Sequence, residues 1–249
     1  MAEAGRPLVV DDAEPVDAGA VQVEGGVAYV KAKASNHFDF PLTLTYGLIP
    51  GLEAGIASGG VFHRVRETAE SDSRRTTGFG DLALSTKWKA IHERDYIPAF
   101  SSALTVKFPT ADDEKDHGTG ERDYDITVIL SKDIGGWFAL HGNVGYTFVG
   151  VPRDHDWNDV VHYGLAAERA LSQRTTLVGE VFVSTALERR GQKNPVGFNV
   201  GLRHEVVRAL TLDVGLGTAI SGDRGPDAFL TVGFTWIFGL RRAGPKTGL

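Results

Sequence analysis

From about residue 20 onward the chain alternates between apolar and polar positions. Near its end Leu210, Leu212, Val214 and Leu216 take the even positions, with Thr211, Asp213, Gly215 and Gly217 between them. A period of two sends successive side chains to opposite faces of a strand, so this segment predicts a strand with one apolar and one polar or small face. The last segment repeats the pattern, with Leu230, Val232, Phe234, Trp236 and Phe238 on one side and Thr231, Gly233 and Thr235 on the other. Earlier runs agree. Phe38, Phe40, Leu42, Leu44, Tyr46 and Leu48 alternate with Asp39, Thr43, Thr45 and Gly47, and Leu82, Leu84 and Trp88 with Asp81, Ser85, Lys87 and Lys89. Tyr124, Ile126, Val128 and Leu130 alternate with Asp123, Asp125, Thr127 and Ser131, and Phe138, Leu140, Val144, Tyr146 and Phe148 with His141, Asn143 and Thr147. Val181, Val183 and Leu187 face away from Glu180 and Ser184, and Phe198, Val200 and Leu202 from Asn199, Arg203 and Glu205.

About twelve such segments follow one another, starting near residues 20, 37, 51, 79, 98, 121, 136, 158, 174, 195, 209 and 227. Each runs for about ten residues or more, enough to cross a membrane when tilted. Tight turns are predicted at Ile49-Pro50-Gly51, Asp133–Gly136, Leu171–Arg174 and Arg208-Ala209, with a slightly longer connection from His92 to Pro98. Longer polar loops are predicted at Arg66–Gly78, Thr110–Gly120, Val151–Trp157, Glu188–Asn194 and Ser221–Pro226. Short and long connections alternate, apart from a short first one around Ser35-Asn36. Bacterial membrane barrels put short turns on the periplasmic side and long loops outside, and an even strand count leaves both termini in the periplasm.

A soluble sandwich also alternates, so the pattern needs support. The segments are longer than the five or six residues usual in globular strands. Aromatics such as Phe38, Phe100, Phe108, Tyr124, Phe138, Phe148, Trp236 and Phe238 gather at the ends of the apolar faces, where interfacial girdles sit. The opposite faces carry full charges that a dry core would not hold unpaired. The expected fold is therefore all-β: a transmembrane antiparallel up-and-down barrel of about twelve strands. Residues 1–19 read as an irregular N-terminal segment, periplasmic or plugging the lumen, 20–238 as the barrel, and 239–249 as a C-terminal tail.

Composition changes this little. The 42% hydrophobic and 23% charged fractions look like those of a soluble protein, because a barrel hides its apolar residues in alternation. No run approaches the 18 apolar residues of a helical span. The absence of cysteine removes disulfides, thiolate metal sites and cysteine nucleophiles. A net charge of -6 and the lack of a basic patch argue against nucleic acid as a partner. Met1-Ala-Glu-Ala has neither a basic region nor an apolar core, so Met1 is read as preceding a mature N-terminus rather than opening a secretory signal.

The closing strand, with Phe234, Trp236 and Phe238, resembles the C-terminal signature of bacterial outer-membrane proteins, which the barrel-assembly machinery reads; here an eleven-residue tail, Gly239 to Leu249, follows it. The chain further resembles the outer-membrane transporter family of the meta-pathway of phenol degradation. The matching stretches are Arg6–Ala13, Gly78–Lys87, Phe108-Pro109-Thr110 and Gly135-Gly136-Trp137 through Asn143–Tyr146, with the Gly80-Asp81 run the most characteristic. The resemblance implies a Gram-negative outer membrane, contact with its lipids and lipopolysaccharide, and porin-like uptake of a small solute, with aromatic or hydrophobic compounds as the candidate cargo. It brings no catalytic residues, and no cofactor is expected.

The candidate lumen lining is read from strand parity. It comprises Asp39, Glu53, Asp81, Lys87, Lys89 and Lys107 in the first half, then Asp123, Asp125, His141, Asn143, His162 and Glu168, and finally Glu180, Asn199, Arg203, Glu205 and Asp213. These charges either line open water, giving a mildly cation-favouring pore, or pair to close the lumen. Residues 1–19, with Pro7, Asp11 and Asp12, are a candidate plug or gate. His141 and His162 would need a third ligand such as Glu168 or Glu180 to hold a metal, and structural hydrogen bonding is the plainer reading. The run Asp112–His117 offers oxygens for calcium but reads better as a solvated acidic loop. A hydrolase carried on a barrel is the rival function: His141-Gly142-Asn143 faintly resembles the histidine strand of outer-membrane phospholipases, but no serine stands two positions beyond. A closed structural barrel is the third possibility.

Overall fold

A computed structural model describes residues 5–32, 35–65, 74–115, 117–151, 158–186, 194–221 and 226–239. Among them the strands are β1 (Ala20–Lys31), β2 (Ser35–Ile49), β3 (Leu52–Val65), β4 (Arg74–Phe79), β5 (Leu82–Ile91), β6 (Ala99–Phe108) and β7 (Asp123–Ile134). They continue as β8 (Phe138–Phe148), β9 (Val160–Ala170), β10 (Thr175–Ala186), β11 (Val196–Val207), β12 (Leu210–Ser221) and β13 (Ala228–Gly239). Every neighbouring pair is antiparallel, and β1 pairs with β13 from Ala20↔Gly239 to Lys31↔Ala228, which closes the sheet on itself. β4 and β5 both pair with β3 and are two halves of one strand broken at Gly80-Asp81, so the wall is a closed twelve-stranded barrel.

Closure explains how alternation becomes architecture. On β2, Phe40, Leu42, Leu44, Tyr46 and Leu48 are exposed, while Thr45 and Gly47 between them are buried. On β12, Leu216 is 57% exposed and Asp213 5%. The burial order is inverted relative to a water-soluble protein: the apolar side faces out and the polar side is enclosed. Lipid rewards that arrangement, and a closed barrel also satisfies every ladder hydrogen bond without an edge.

Eleven of the twelve expected strand starts fall within two residues of the observed ones. The fourth does not. Part of the loop expected over Arg66–Gly78 is strand β4, which continues the pairing of β3 as far as Val65↔Arg74. Arg75, Thr76 and Thr77 carry no apolar alternation because this part of the hairpin lacks a large apolar outward residue until Phe79. Leu187, most of the loops expected at Val151–Trp157, Glu188–Asn194 and Ser221–Pro226, and the tail after Gly239 lie outside the described residues.

The tight turns follow from local chemistry. Gly51 at φ 80° ends the Ile49-Pro50-Gly51 turn, and Gly135 and Gly136 at φ 72° and 74° make the Asp133–Trp137 turn, conformations that L side chains rarely adopt. One ladder is interrupted: pairing of β1 with β2 stops at Gly25↔Leu42 and resumes at Ala28↔Asp39, next to Pro41, which has no N–H to give.

Candidate functional site

The interior divides by height. Residues 5–17 are irregular and lie in the short-turn half of the lumen, packed against inward side chains of most of the wall. The Arg6 guanidinium reaches both Asp213 oxygens at 3.4 Å and donates to Thr231 Oγ1 at 2.8 Å. Glycine makes room for it: a Cβ on Gly233 would come within 2.3 Å of this group, and one on Gly26 within 2.5 Å. Arg203 donates to the carbonyl oxygens of Gly5 and Arg6, and its other arm pairs with Glu168 at 2.5 Å. Glu180 accepts the backbone N–H groups of Val9 at 2.8 Å and Val10 at 2.7 Å, and the Asn199 amide at 2.6 Å.

Further along, Ala13 is held from both sides. Its N–H donates to Ser131 Oγ at 2.8 Å, and Ser101 Oγ donates to its carbonyl at 2.6 Å. Ala13 itself packs with Ala99 and Ile129 in a small apolar cluster inside the barrel. Lys87 binds Asp11 at 3.1 Å and the Asp12 carbonyl at 3.2 Å, with Glu53 at 3.7 Å. Lys89 pairs with Glu14, and Glu53 accepts the Val16 N–H. The segment then leaves through Gly19, whose N–H donates to the Gly47 carbonyl at 2.8 Å, and enters β1. Its backbone polar groups thus find partners on the wall in place of water.

Between this segment and the walls of β1, β2, β3 and β5 a cavity of about 340 Å3 remains. Arg6, Leu8, Val9, Val10, Asp11, Glu14 and Val16 line it from the segment, and Gln22, Glu24, Thr43, Thr45, Glu53, Ser85 and Lys87 from the wall.

The long-loop half is a mesh of side chains. Asp125 accepts from Thr127 and Thr147 and pairs with His162 Nε2, each at 2.7 Å. Lys107 lies 2.7 Å from Asp123 and 3.5 Å from Asp81, and donates to Thr119. Asp81 occupies the break between β4 and β5, and its Oδ1 accepts the N–H groups of Thr110 and Ala111 at 3.1 and 3.0 Å. The Gly80-Asp81 run therefore ties the loop after β6 to the wall. Asp39 lies 3.3 Å from His37. Asn143 lies on the inward face of β8. Glu205 lies near the short-turn end of β11, opposite Thr211 of β12. In the acidic loop a short 3-10 turn spans Asp113–Lys115, and the Lys115 ammonium holds the Asp112 carboxyl below the usual carboxylate range through a direct hydrogen bond. Asp116 of that run lies outside the described residues.

The two candidate metal histidines are sent to different partners: His162 to Asp125, and His141 to Ser131 at 2.8 Å and Glu168 at 3.7 Å. No group of three metal-ligating side chains occurs among the described residues. Ser131, His141 and Glu168 have the residue types of a hydrolytic triad. All three are buried beneath the N-terminal segment. The serine oxygen takes the Ala13 N–H and the glutamate carries Arg203, so the three serve as an anchor. Sequence reasoning missed the anchors Ser101, Ser131 and Thr231. The one available signal was the small polar residues standing at inward positions beside the charges.

A closed, even-stranded antiparallel barrel, apolar outside and charged within, has the fold of the outer-membrane β-barrels. The chain belongs to the family described as "Putative MetA-pathway of phenol degradation", whose profile matches residues 4–241. No curated protein matches it in sequence. Similar solved structures include the COG4313 outer membrane channel from Pseudomonas putida F1, with 16% identity over 93% of this chain and 100% of that one and a TM-score of 0.75. The NanC porin aligns with 11% identity over 87% and 98% of the two chains, TM-score 0.62. The CymD monoaromatic hydrocarbon channel aligns with 7% identity over 90% of each, TM-score 0.53. At these identities the likeness establishes the fold, and these three proteins are two channels and a porin.

Proposed function

We propose that the chain is a passive outer-membrane channel for small molecules of aromatic or hydrophobic character, with residues 1–19 as its lumen plug. The observation that carries this reading is the cavity of about 340 Å3 beside the plug, where valines and a leucine of the segment stand among its charged Arg6, Asp11 and Glu14 and face polar wall residues. A space of that size and mixed lining suits a solute of a few ring atoms with one polar group. The family's link to phenol degradation and the description of CymD as a monoaromatic hydrocarbon channel support an aromatic cargo. Phe234, Trp236 and Phe238 on β13 present the signature for the barrel-assembly machinery, and the outer face meets lipid and lipopolysaccharide.

The test is uptake into liposomes carrying the refolded full chain, with planar-bilayer recording alongside. A small aromatic is expected to enter while ionic conductance stays low, and removal of residues 2–17 is expected to raise conductance severalfold. A folded barrel that admits no aromatic in either form sinks the proposal. A second reading, a closed structural barrel without transport, is favoured by the pairing of Arg203, Glu180 and Lys87 with the segment; it predicts that plug removal unfolds the barrel instead of opening it.

A further inference from the structure

At the long-loop end, four strands carry a row of polar and cationic side chains on the outside of the wall. The register sets Lys31 opposite Asn36, Asn36 opposite Arg64 and Arg64 opposite Arg75. One pleat towards the middle, Tyr29, Phe38, Phe62 and Thr77 form a second row, with ring centroids 4.9 Å apart for Tyr29–Phe38 and 6.3 Å for Phe38–Phe62. Both rows share the parity of exposed Val27, Phe40, Ile56 and Phe79, which places them on the outer face. Asn36, Arg64 and Arg75 above and Tyr29, Phe38 and Phe62 below enclose an outward-opening recess of about 330 Å3.

Arg64 and Arg75 are exposed like charges directly opposite each other on neighbouring strands, an arrangement that repels unless an anion sits between them. Among the described residues neither arginine, nor Lys31, has an ion-pair partner. The other end of the same strands presents Tyr46, Leu48, Leu52 and Trp88 outward, without a cation. On the outer face of these strands the cations therefore mark the long-loop end alone.

We propose that this recess docks the phosphorylated headgroup of lipopolysaccharide from the outer leaflet, the guanidinium groups taking phosphate and the aromatic row lying along the acyl chains. The inference rests on the outer-membrane reading, which sets the long-loop end outside. A soluble anion would make no use of the aromatic shelf, and a neutral lipid none of the cations. A phosphorylated amphiphile uses both. Guanidinium suits the task because its planar fork meets phosphate with two parallel hydrogen bonds.

The experiment uses the full chain refolded in detergent, its barrel verified by heat-modifiable migration, and native mass spectrometry of bound lipid. The probes are lipid A, lipid A stripped of its phosphates, and phosphatidylglycerol. The parent protein is expected to hold lipid A about ten-fold better than either comparison lipid, and the double variant Arg64→Gln, Arg75→Gln to fall to the stripped-lipid level. Equal retention of lipid A by a folded double variant overturns the site, as does phosphatidylglycerol held as tightly as lipid A. Loss of heat-modifiable migration in the parent chain would overturn the membrane reading, and the site with it.

Discussion

In the short-turn half of the lumen the side chains of Asp213, Glu168 and Arg203 are 2%, 5% and 7% exposed; in the long-loop half those of Lys107, Asp125 and His162 are 22%, 23% and 30% exposed. Both halves enclose charges, but the first encloses most of them against one continuous segment, residues 5–17, whereas backbone contacts in the second are confined to loop residues such as Thr110 and Ala111 on Asp81. In the first half, carboxylates and guanidinium groups bond to the backbone of residues 5–17, so charge and peptide dipole satisfy each other out of contact with water. In the second half Lys107, Asp123, Asp125 and His162 pair mainly with one another and with threonines, and keep part of their hydration. Burial, more than the number of charges, decides how much each contact stabilises.

That difference can be tested by removing one partner at a time. The largest effect is expected from Arg203→Ala, which leaves Glu168 buried without its cation and the Gly5 and Arg6 carbonyls without a donor. Breaking a buried pair costs about 3–5 kcal/mol, here drawn from docking of the segment. Amide exchange at Val9, Val10 and Ala13 reads it directly, slow in the parent and fast in the variant; unchanged protection would mean the segment is held by something else. A smaller effect is expected from Glu180→Ala, which strips the acceptor from two N–H groups at a cost of about 1–3 kcal/mol. It should raise single-channel conductance while leaving heat-modifiable migration intact. The smallest is expected from His162→Ala. A part-exposed pair contributes about 0–1 kcal/mol, so the midpoint of the migration change should barely move. A drop as large as that of Arg203→Ala would erase the contrast between the halves.

The wall was far more legible in the sequence than what fills it. Alternation is local, and parity alone sorts Leu212 outward and Asp213 inward once closure is assumed. Only β4 escaped, because Arg75-Thr76-Thr77 lack a large outward apolar residue. The N-terminal segment has no period to read. Its position depends on contacts such as Arg6 with Asp213 and Val9 with Glu180, separated by 207 and 171 residues. Likewise, parity places His141 and Glu168 inside, but that they meet Ser131 depends on the β7–β8 and β8–β9 registers. Asp81 was readable as a motif and as an inward charge, whereas its grip on Thr110 and Ala111 was not.

The outward run of β2 from Phe38 to Leu48 also has a consequence for immersion. At about 3.3 Å per residue and a tilt of about 40°, it rises roughly 25 Å along the barrel axis. Asn36 marks its upper margin, on the same level as Arg64 and Arg75. Such a belt fits a thin hydrocarbon layer. In a thicker bilayer, either the arginines would be drawn below the headgroups or the lipids would have to compress around this side of the wall. The length of the run thus selects the membrane thickness in which the barrel rests without strain.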